Sequence, residues 1–197
     1  MPRYVDHQQR RREVIDVATE LVIANGRAAL TVRRVAEAAG HSTKVVSHYF
    51  TDMADLLHAT YIAAAKRASE RLDAVVAADP SDLQGFIEAV LPLDVPRRRD
   101  WSIWFAFWSE ALTSDQLGAD QRGRARNTTE RIESIVRALI RSGRLPSSCD
   151  AATAARRLGA LIPGIAGQAL FDPTQWTPRR QREILAGELT MLGLRAG

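Results

Sequence analysis

Between Thr31 and Leu57 the chain reads TVRRVAEAAGHSTKVVSHYFTDMADLL. Val32, Val35, Ala36 and Ala39 recur at helical period, so a first short helix carries one apolar face. Ala36 is small and Gly40 follows four residues later. A small residue lets a second helix cross closely, and glycine accepts the positive φ of a tight helix-ending turn. Ser42 stands where an N-cap belongs, its hydroxyl able to accept from the free N–H groups of the next turn. Val46 and Tyr49–Phe50 supply the inward side of a second short helix. Thr43, Lys44, Ser47 and His48 are left pointing elsewhere. Asp52 fits as the N-cap of a further helix, with Asp55 adding favourable charge in its first turn. Two short helices joined at a glycine, then an aromatic stop and a third helix, are the layout of a helix-turn-helix DNA reader. A plain helical hairpin with a solvated polar side is the alternative; Arg33, Arg34 and Lys44 bring phosphate-seeking charge against it. The expected DNA-facing set is Thr31, Arg33, Ser42, Thr43, Lys44, Val45, Ser47, His48 and Tyr49.

Outward from this segment only helices are legible. Residues His7 to Asn25 carry Val14, Ile15, Ala18, Leu21 and Val22 on one face, and Gly26 ends the run. A long helix from Asp52 to about Ala78 stops before Asp79–Pro80. A shorter one spans Asp82 to Leu91, closed by Pro92 and Pro96. Asp100 is expected to cap a helix reaching Thr113, with Arg97–Arg98–Arg99 as a solvated loop before it. Another helix runs from Arg122 to Arg141, one from Asp150 to Phe171, and a last one starts at Thr177–Pro178 with the proline at its first position.

These residues resemble a known family. Arg12, Ile15, Ala18, Leu21, Gly26, Thr31–Val32, Val35–Ala36, Ala39–Gly40, Ser42, His48–Tyr49–Phe50 and Leu56–Leu57 are similar to the N-terminal domain of TetR-type transcriptional repressors. Two further stretches resemble the choline-sensing repressors of betaine synthesis. One is Ser42–Thr43 with Ser47 to Phe50; the other is Trp104 to Trp108 followed by Leu158 to Gly164. The resemblance implies an all-α fold of about nine helices. An N-terminal three-helix reader (residues 1–51) is joined by a long helix to an effector-binding and dimerisation domain (residues 52–197). It also implies a homodimer on a near-palindromic double-stranded operator, its reading helices about 34–36 Å apart. A small-molecule effector releases it. Three positions depart from the pattern. His41 replaces an apolar residue after the turn glycine, Lys44 stands where many members have glycine, and Met53 where a lysine commonly approaches the backbone. The site read should therefore differ from that of relatives.

The resemblance assigns the dimer interface to the last two helices. Gly159, Ala160, Gly164, Ala166 and Gly167 make one side of the eighth small, while Leu158, Leu161, Ile162, Ile165, Leu185, Leu189, Met191 and Leu192 supply apolar area. An intrachain core would explain the same residues. Pro163 interrupts the eighth segment.

A second candidate site is aromatic. Trp101, Trp104, Phe105 and Trp108 fall at i, i+3, i+4 and i+7, one helical face with three indoles and a phenyl ring; Phe107 lies off it. Core packing is the plain reading. Buried indoles need an N–H partner, however, and several electron-rich faces suit a quaternary ammonium or other lipophilic cation at about 0.5–2 kcal/mol per contact. Tyr61 and Phe171 are expected to complete the walls, with Glu110 as a possible counter-charge that helical spacing points away.

Composition bounds the alternatives. The 197 residues carry 27 Lys and Arg against 23 Asp and Glu, a net charge of +4. Arg3, Arg10, Arg11, Arg12, Arg33, Arg34 and Lys44 concentrate the excess in the first fifty residues. A lone cysteine, Cys149, allows no intrachain disulfide, and neither a signal peptide nor a membrane span is visible, so a cytoplasmic home is expected. His7, His41, His48 and His58 invite a metal or acid–base reading. No metal-ligand spacing, carboxylate pair, nucleophile elbow or phosphate loop accompanies them, so neither catalytic residues, bound metal nor cofactor is expected. The rival non-enzymatic reading is a constitutive helix-turn-helix protein without an effector.

Overall fold

The computed structural model describes residues 7–194. Arg3, counted in the basic cluster, lies outside them. Among the described residues there are nine α-helices and no strand. They are α1 (His7–Asn25), α2 (Val32–Ala38), α3 (Thr43–Tyr49), α4 (Met53–Ala78), α5 (Leu83–Glu88), α6 (Val95–Ala111), α7 (Asp115–Arg141), α8 (Ala151–Phe171) and α9 (Pro178–Met191), with a 3-10 turn at Arg27–Ala29.

The helices divide into two compact units. One runs to Lys66 and takes in Ser102–Gly118; the other holds Arg67–Trp101 and the chain from Ala119. The division therefore falls inside α4, α6 and α7. The first turns of α4 carry Leu56, Leu57, Tyr61 and Ala64, all buried, and so belong to the first unit's core rather than to a linker.

In the second unit the start of α6 departs from expectation. Asp94, not Asp100, caps this helix, its Oδ1 accepting from Arg97 N–H at 2.9 Å. Pro96 then sits in the first turn, where its missing N–H removes no bond. Arg97–Arg98–Arg99 is consequently helical. Burial opposes ionisation of Asp94, but the Arg97 side chain and N–H outweigh it and hold the carboxyl below its ordinary range. Asp100 is only 1% exposed and mid-helix. Its Oδ1 accepts from Arg67 Nε at 3.0 Å and Nη2 at 2.6 Å, its Oδ2 from Arg71 Nη2 at 2.9 Å, so α4 grips α6 through one carboxylate.

The remaining helices follow their caps. α7 begins earlier than expected, at Asp115, so Gly118 and Gly123 lie within it. Asp150 caps α8 by accepting from Ala152 and Thr153 N–H. Pro163 does not end α8, which continues to Phe171. Thr177 caps α9, and Pro178 is its first residue. α5 packs on α9, where Arg182 Nε meets Glu88 Oε2 at 2.8 Å. Leu158, Ile162, Ile165, Ala166, Leu185 and Leu189 are buried within the single chain, whereas Ala160, Gly164 and Met191 are exposed.

Candidate DNA-reading interface and effector site

The reader is built from turns that fix two short helices. Thr31 is extended (φ −127°, ψ 150°), and its hydroxyl oxygen accepts from Arg34 N–H at 3.3 Å, starting α2. At the other end Gly40 takes φ 65°. Its N–H donates to Glu37 O at 3.2 Å, and His41 N–H donates back to Ala36 O at 2.9 Å, the paired bonds of a Schellman stop. α2 packs on α3 with Val35, Ala36, Val46 and Phe50 buried. The larger of these side chains contribute about 1.5–3 kcal/mol each in transfer free energy.

Ser42 holds the N-cap position of α3 in extended conformation, but its hydroxyl makes no cap bond. The expected side-chain cap is absent because the turn closes through the backbone, Val45 N–H donating to Ser42 O at 3.0 Å. The start of α4 is closed reciprocally. Asp55 N–H donates to Asp52 Oδ1 at 2.8 Å, while Asp55 Oδ2 accepts from Thr51 N–H at 3.0 Å and its hydroxyl at 3.2 Å.

Thr31, Arg33, Ser42, Thr43, Lys44, Ser47 and His48 are exposed, and Val45 and Tyr49 are half-buried. Thr43, Lys44, Ser47 and His48 stand at i, i+1, i+4 and i+5, which places them on one side of α3. Thr31 is already engaged as a cap. Arg34 reaches Asn25 Oδ1 at 3.5 Å.

Helix α1 braces the end of α3. The Arg11 guanidinium lies 5.0 Å from the centre of the Phe50 ring, and His7 Nδ1 is 3.0 Å from the Tyr49 hydroxyl. His7 and Arg11 are one turn apart and meet consecutive residues. His41 Nε2 lies 3.8 Å from Glu13 Oε2, so the unusual turn residue is directed at α1. His7 and Arg11 were not among the expected site residues. Their i, i+4 spacing ahead of buried Val14 was visible, but spacing cannot name partners some forty positions away.

The expected ligand residues are distributed unevenly. Trp101 is buried in the second unit, and its Nε1–H donates to Val90 O at 2.7 Å, so this indole is anchored in the core. Phe171, also in the second unit, is 87% exposed at the end of α8. The other four are in the first unit. Tyr61 is buried and stacks on Phe107, ring centres 3.8 Å apart and 15° from parallel, with His58 stacked at 5.8 Å on Phe107. Phe107, off the stripe by helical spacing, is thus the core partner of Tyr61. Trp104 is buried, while Phe105 and Trp108 are half-buried and meet edge to face at 5.2 Å. Glu110 is not a spare counter-charge: its Oε1 lies 3.1 Å from Arg27 Nε in the turn before α2.

In the second unit a cavity of about 330 Å³ is lined by Asp79, Ser81, Asp82, Arg144, Leu189 and Leu194, among others. Its polar groups serve the local turns. Asp79 accepts from Ser81, Asp82 caps Gly85 and Arg144 donates to the Ser81 hydroxyl at 3.3 Å. His7 and His48 lie together beside Tyr49, whereas His41 and His58 are elsewhere, and among the described residues no three His, Cys, Asp or Glu form a metal-binding group.

The motif geometry agrees with comparisons against known proteins. Residues 14–60 match the model of bacterial regulatory proteins of the tetR family. Residues 80–193 match the C-terminal domain of BetI-type transcriptional repressors. This chain belongs to the TetR family. The TetR-family regulator is 33% identical over 169 residues to the HTH-type transcriptional regulator BetI of Paraburkholderia xenovorans (strain LB400), covering 84% of each chain. It is 26% identical over 190 residues to the HTH-type transcriptional regulator PksA of Bacillus subtilis (strain 168), covering 94% of this chain and 90% of that one. A crystal structure of a transcriptional regulator from Saccharomonospora viridis in complex with choline superposes with a TM-score of 0.79 at 24% identity, covering 93% of this chain and 96% of that one. TetR-family regulators bind operator DNA and small-molecule effectors and act as dimers, and the chain is a ligand-responsive DNA-binding transcriptional regulator of that kind. Among the described residues no helix is long and apolar enough to cross a membrane.

Proposed function

We propose that the protein represses transcription by laying the exposed side of α3, with Thr43, Lys44, Ser47 and His48, into the major groove of a near-palindromic operator. Thr31, Arg33, Ser42 and Tyr49 reach the flanking backbone, and Val45 meets base edges or thymine methyls. The single observation that carries this reading is the exposure of four polar side chains on one side of a helix whose other side is buried through Val46. The dimer forms through α8 and α9. Support comes from the exposed small residues Ala160 and Gly164 and the exposed Met191 on those helices. A Cβ added at Gly164 or Gly187 would meet nothing within 4 Å, so both backbones are open to approach.

The effector is a quaternary ammonium or related lipophilic cation received on α6 by Trp104, Phe105 and Trp108. The aromatic character of this segment supports the assignment, as does choline in the Saccharomonospora viridis structure. Release follows if the ligand binds the form that does not hold DNA more tightly than the form that does. Titration with choline, betaine aldehyde and larger lipophilic cations tests this. Tryptophan emission should change and operator affinity should fall over the same concentration range. If none of them moves either quantity, the cation assignment is wrong.

A further inference from the structure

His7 is outside the reading helix, yet its ring meets the last residue of that helix. His7 Nδ1 and the Tyr49 hydroxyl oxygen are 3.0 Å apart, with the rings at 64° and their centres 6.1 Å apart. Only one proton lies between two atoms at that distance. We propose that His7 is a positioning residue for Tyr49, setting whether the phenol donates its proton to operator phosphate or spends it on the imidazole. This rests on the reading of Tyr49 as facing the DNA backbone.

The argument is one of proton inventory. A phosphate oxygen accepts hydrogen bonds and donates none. The phenol has a single proton to give. When the His7 imidazole is neutral with Nδ1 bare, the phenol donates to it and presents only lone pairs outward. Facing phosphate, that arrangement repels. The other neutral tautomer carries a proton on Nδ1, donates to the phenol oxygen and frees the phenol proton. The imidazolium can only donate from Nδ1. Protonating His7 therefore removes the unproductive arrangement, commits the phenol proton to phosphate and adds a positive charge beside it.

The surrounding groups leave this pair able to act. His48 on α3 has its ring centre 5.1 Å from Tyr49 and 6.1 Å from His7, so it is a second imidazole beside the pair. Arg10 and Arg11 share α1 with His7, and Arg11 is engaged over Phe50. Glu13 is directed at His41, and Asp52 and Asp55 are used in starting α4. His7 itself is exposed and can exchange protons with solvent. Imidazole is the side chain whose charge ordinarily changes between about pH 5 and 8, so a pH series across that range is the probe.

The test uses the full-length chain and a duplex recovered by binding-site selection, at fixed ionic strength because phosphate contacts are salt-sensitive. Affinity is measured from pH 8 to pH 5.5 for the parent, His7→Gln, His48→Gln and Tyr49→Phe. The parent should tighten about tenfold more than Tyr49→Phe over this range, the worth of a charge-assisted hydrogen bond. His7→Gln should lose the same increment, since glutamine does not titrate, and His48→Gln should keep it. If Tyr49→Phe retains the parent's full pH response, the proposal is overturned, because the histidine charges then act without the phenol. Lys44→Ala, run alongside, separates the two readings. If Lys44→Ala and Tyr49→Phe both bind like the parent at every pH, the face assignment has failed. If Lys44→Ala weakens binding while the pH response survives Tyr49→Phe, only the role of His7 has failed.

Discussion

Arg27 Nε lies 3.1 Å from Glu110 Oε1, joining the turn that precedes α2 to the end of the aromatic segment of α6. Both side chains are about a third exposed, at 30% and 34%, so solvent screens the pair and its share of stability is at most about 1 kcal/mol. Its consequence is positional. Arg27→Ala and Glu110→Ala should each leave the melting temperature within a few degrees while weakening operator binding. The double variant should be no worse than the more affected single one. Additive losses in an anisotropy titration would show that the two side chains act independently.

The Asp100 carboxylate is the sharper stability element, because it is buried and held by two guanidinium groups. Removing its charge leaves Arg67 and Arg71 turned towards a site that no longer compensates them. Asp100→Asn should cost about 1.5–3 kcal/mol in urea unfolding, the range for hydrogen bonds to a charged group, because the Arg67 and Arg71 side chains are 44% and 28% exposed and keep access to water. Arg67→Met and Arg71→Met should each cost less, since one arginine still serves the carboxylate. An Asp100→Asn midpoint equal to the parent's would mean that the clamp is not a net stabiliser.

Gly40 isolates a backbone effect. Its φ is 65° and an added Cβ would meet no atom within 4 Å, so Gly40→Ala introduces no clash. The expected cost is about 1–2 kcal/mol from the left-handed conformation alone. Per folded molecule, operator affinity should be retained. A loss much larger than this, read by thermal melting, would show that the Schellman turn cannot close around alanine.

Acid sensitivity should come from turn carboxylates. The Thr153 hydroxyl, then the Thr153 N–H, hold Asp150 below its ordinary value of 3.8. Asp79 is lowered in the same way by Ser81 and Asp172 by Thr174. A depressed carboxyl favours folding above its unfolded value, and that support is lost as pH falls through the lower folded value. Unfolding measured from pH 6 downward should show little change above about pH 4 from these groups and a decline below it. Asp150→Asn should be less stable than the parent at pH 6 and show a shallower acid decline. An unchanged decline would remove Asp150 from the list.

What could be read from sequence follows from what kind of signal each residue carries. The turn glycine at 40, the helix starts at Asp52, Asp150 and Thr177, and the apolar period around Val35 and Val46 are local. They placed α1, α2, α3, α8 and α9 closely. The start of α6 was misplaced because Pro96 is a stop signal for one helix and an acceptable first-turn residue of the next. Asp100 looked like a cap, and only its distant partners Arg67 and Arg71 show otherwise. α7 begins earlier than expected because the stretch around Gly118 reads as a loop. In the expected ligand set, one helical face did not mean one environment. Trp101 is tied to Val90, Tyr61 is stacked on Phe107, and only Trp104, Phe105 and Trp108 remain together on the α6 segment of the first unit.

The reading face of α3 is tested most directly by operator affinity as a function of salt for the parent, Lys44→Ala and Ser47→Ala. Lys44→Ala should weaken binding and, if it meets phosphate, reduce the magnitude of the log–log salt slope by about 1 per copy contacting DNA. If Lys44 reaches a base edge instead, base preference should change. Ser47→Ala should weaken binding with the salt slope retained. Parental affinity, salt slope and base preference in both variants would contradict the account, because the exposed side of α3 would then not be what reads the DNA.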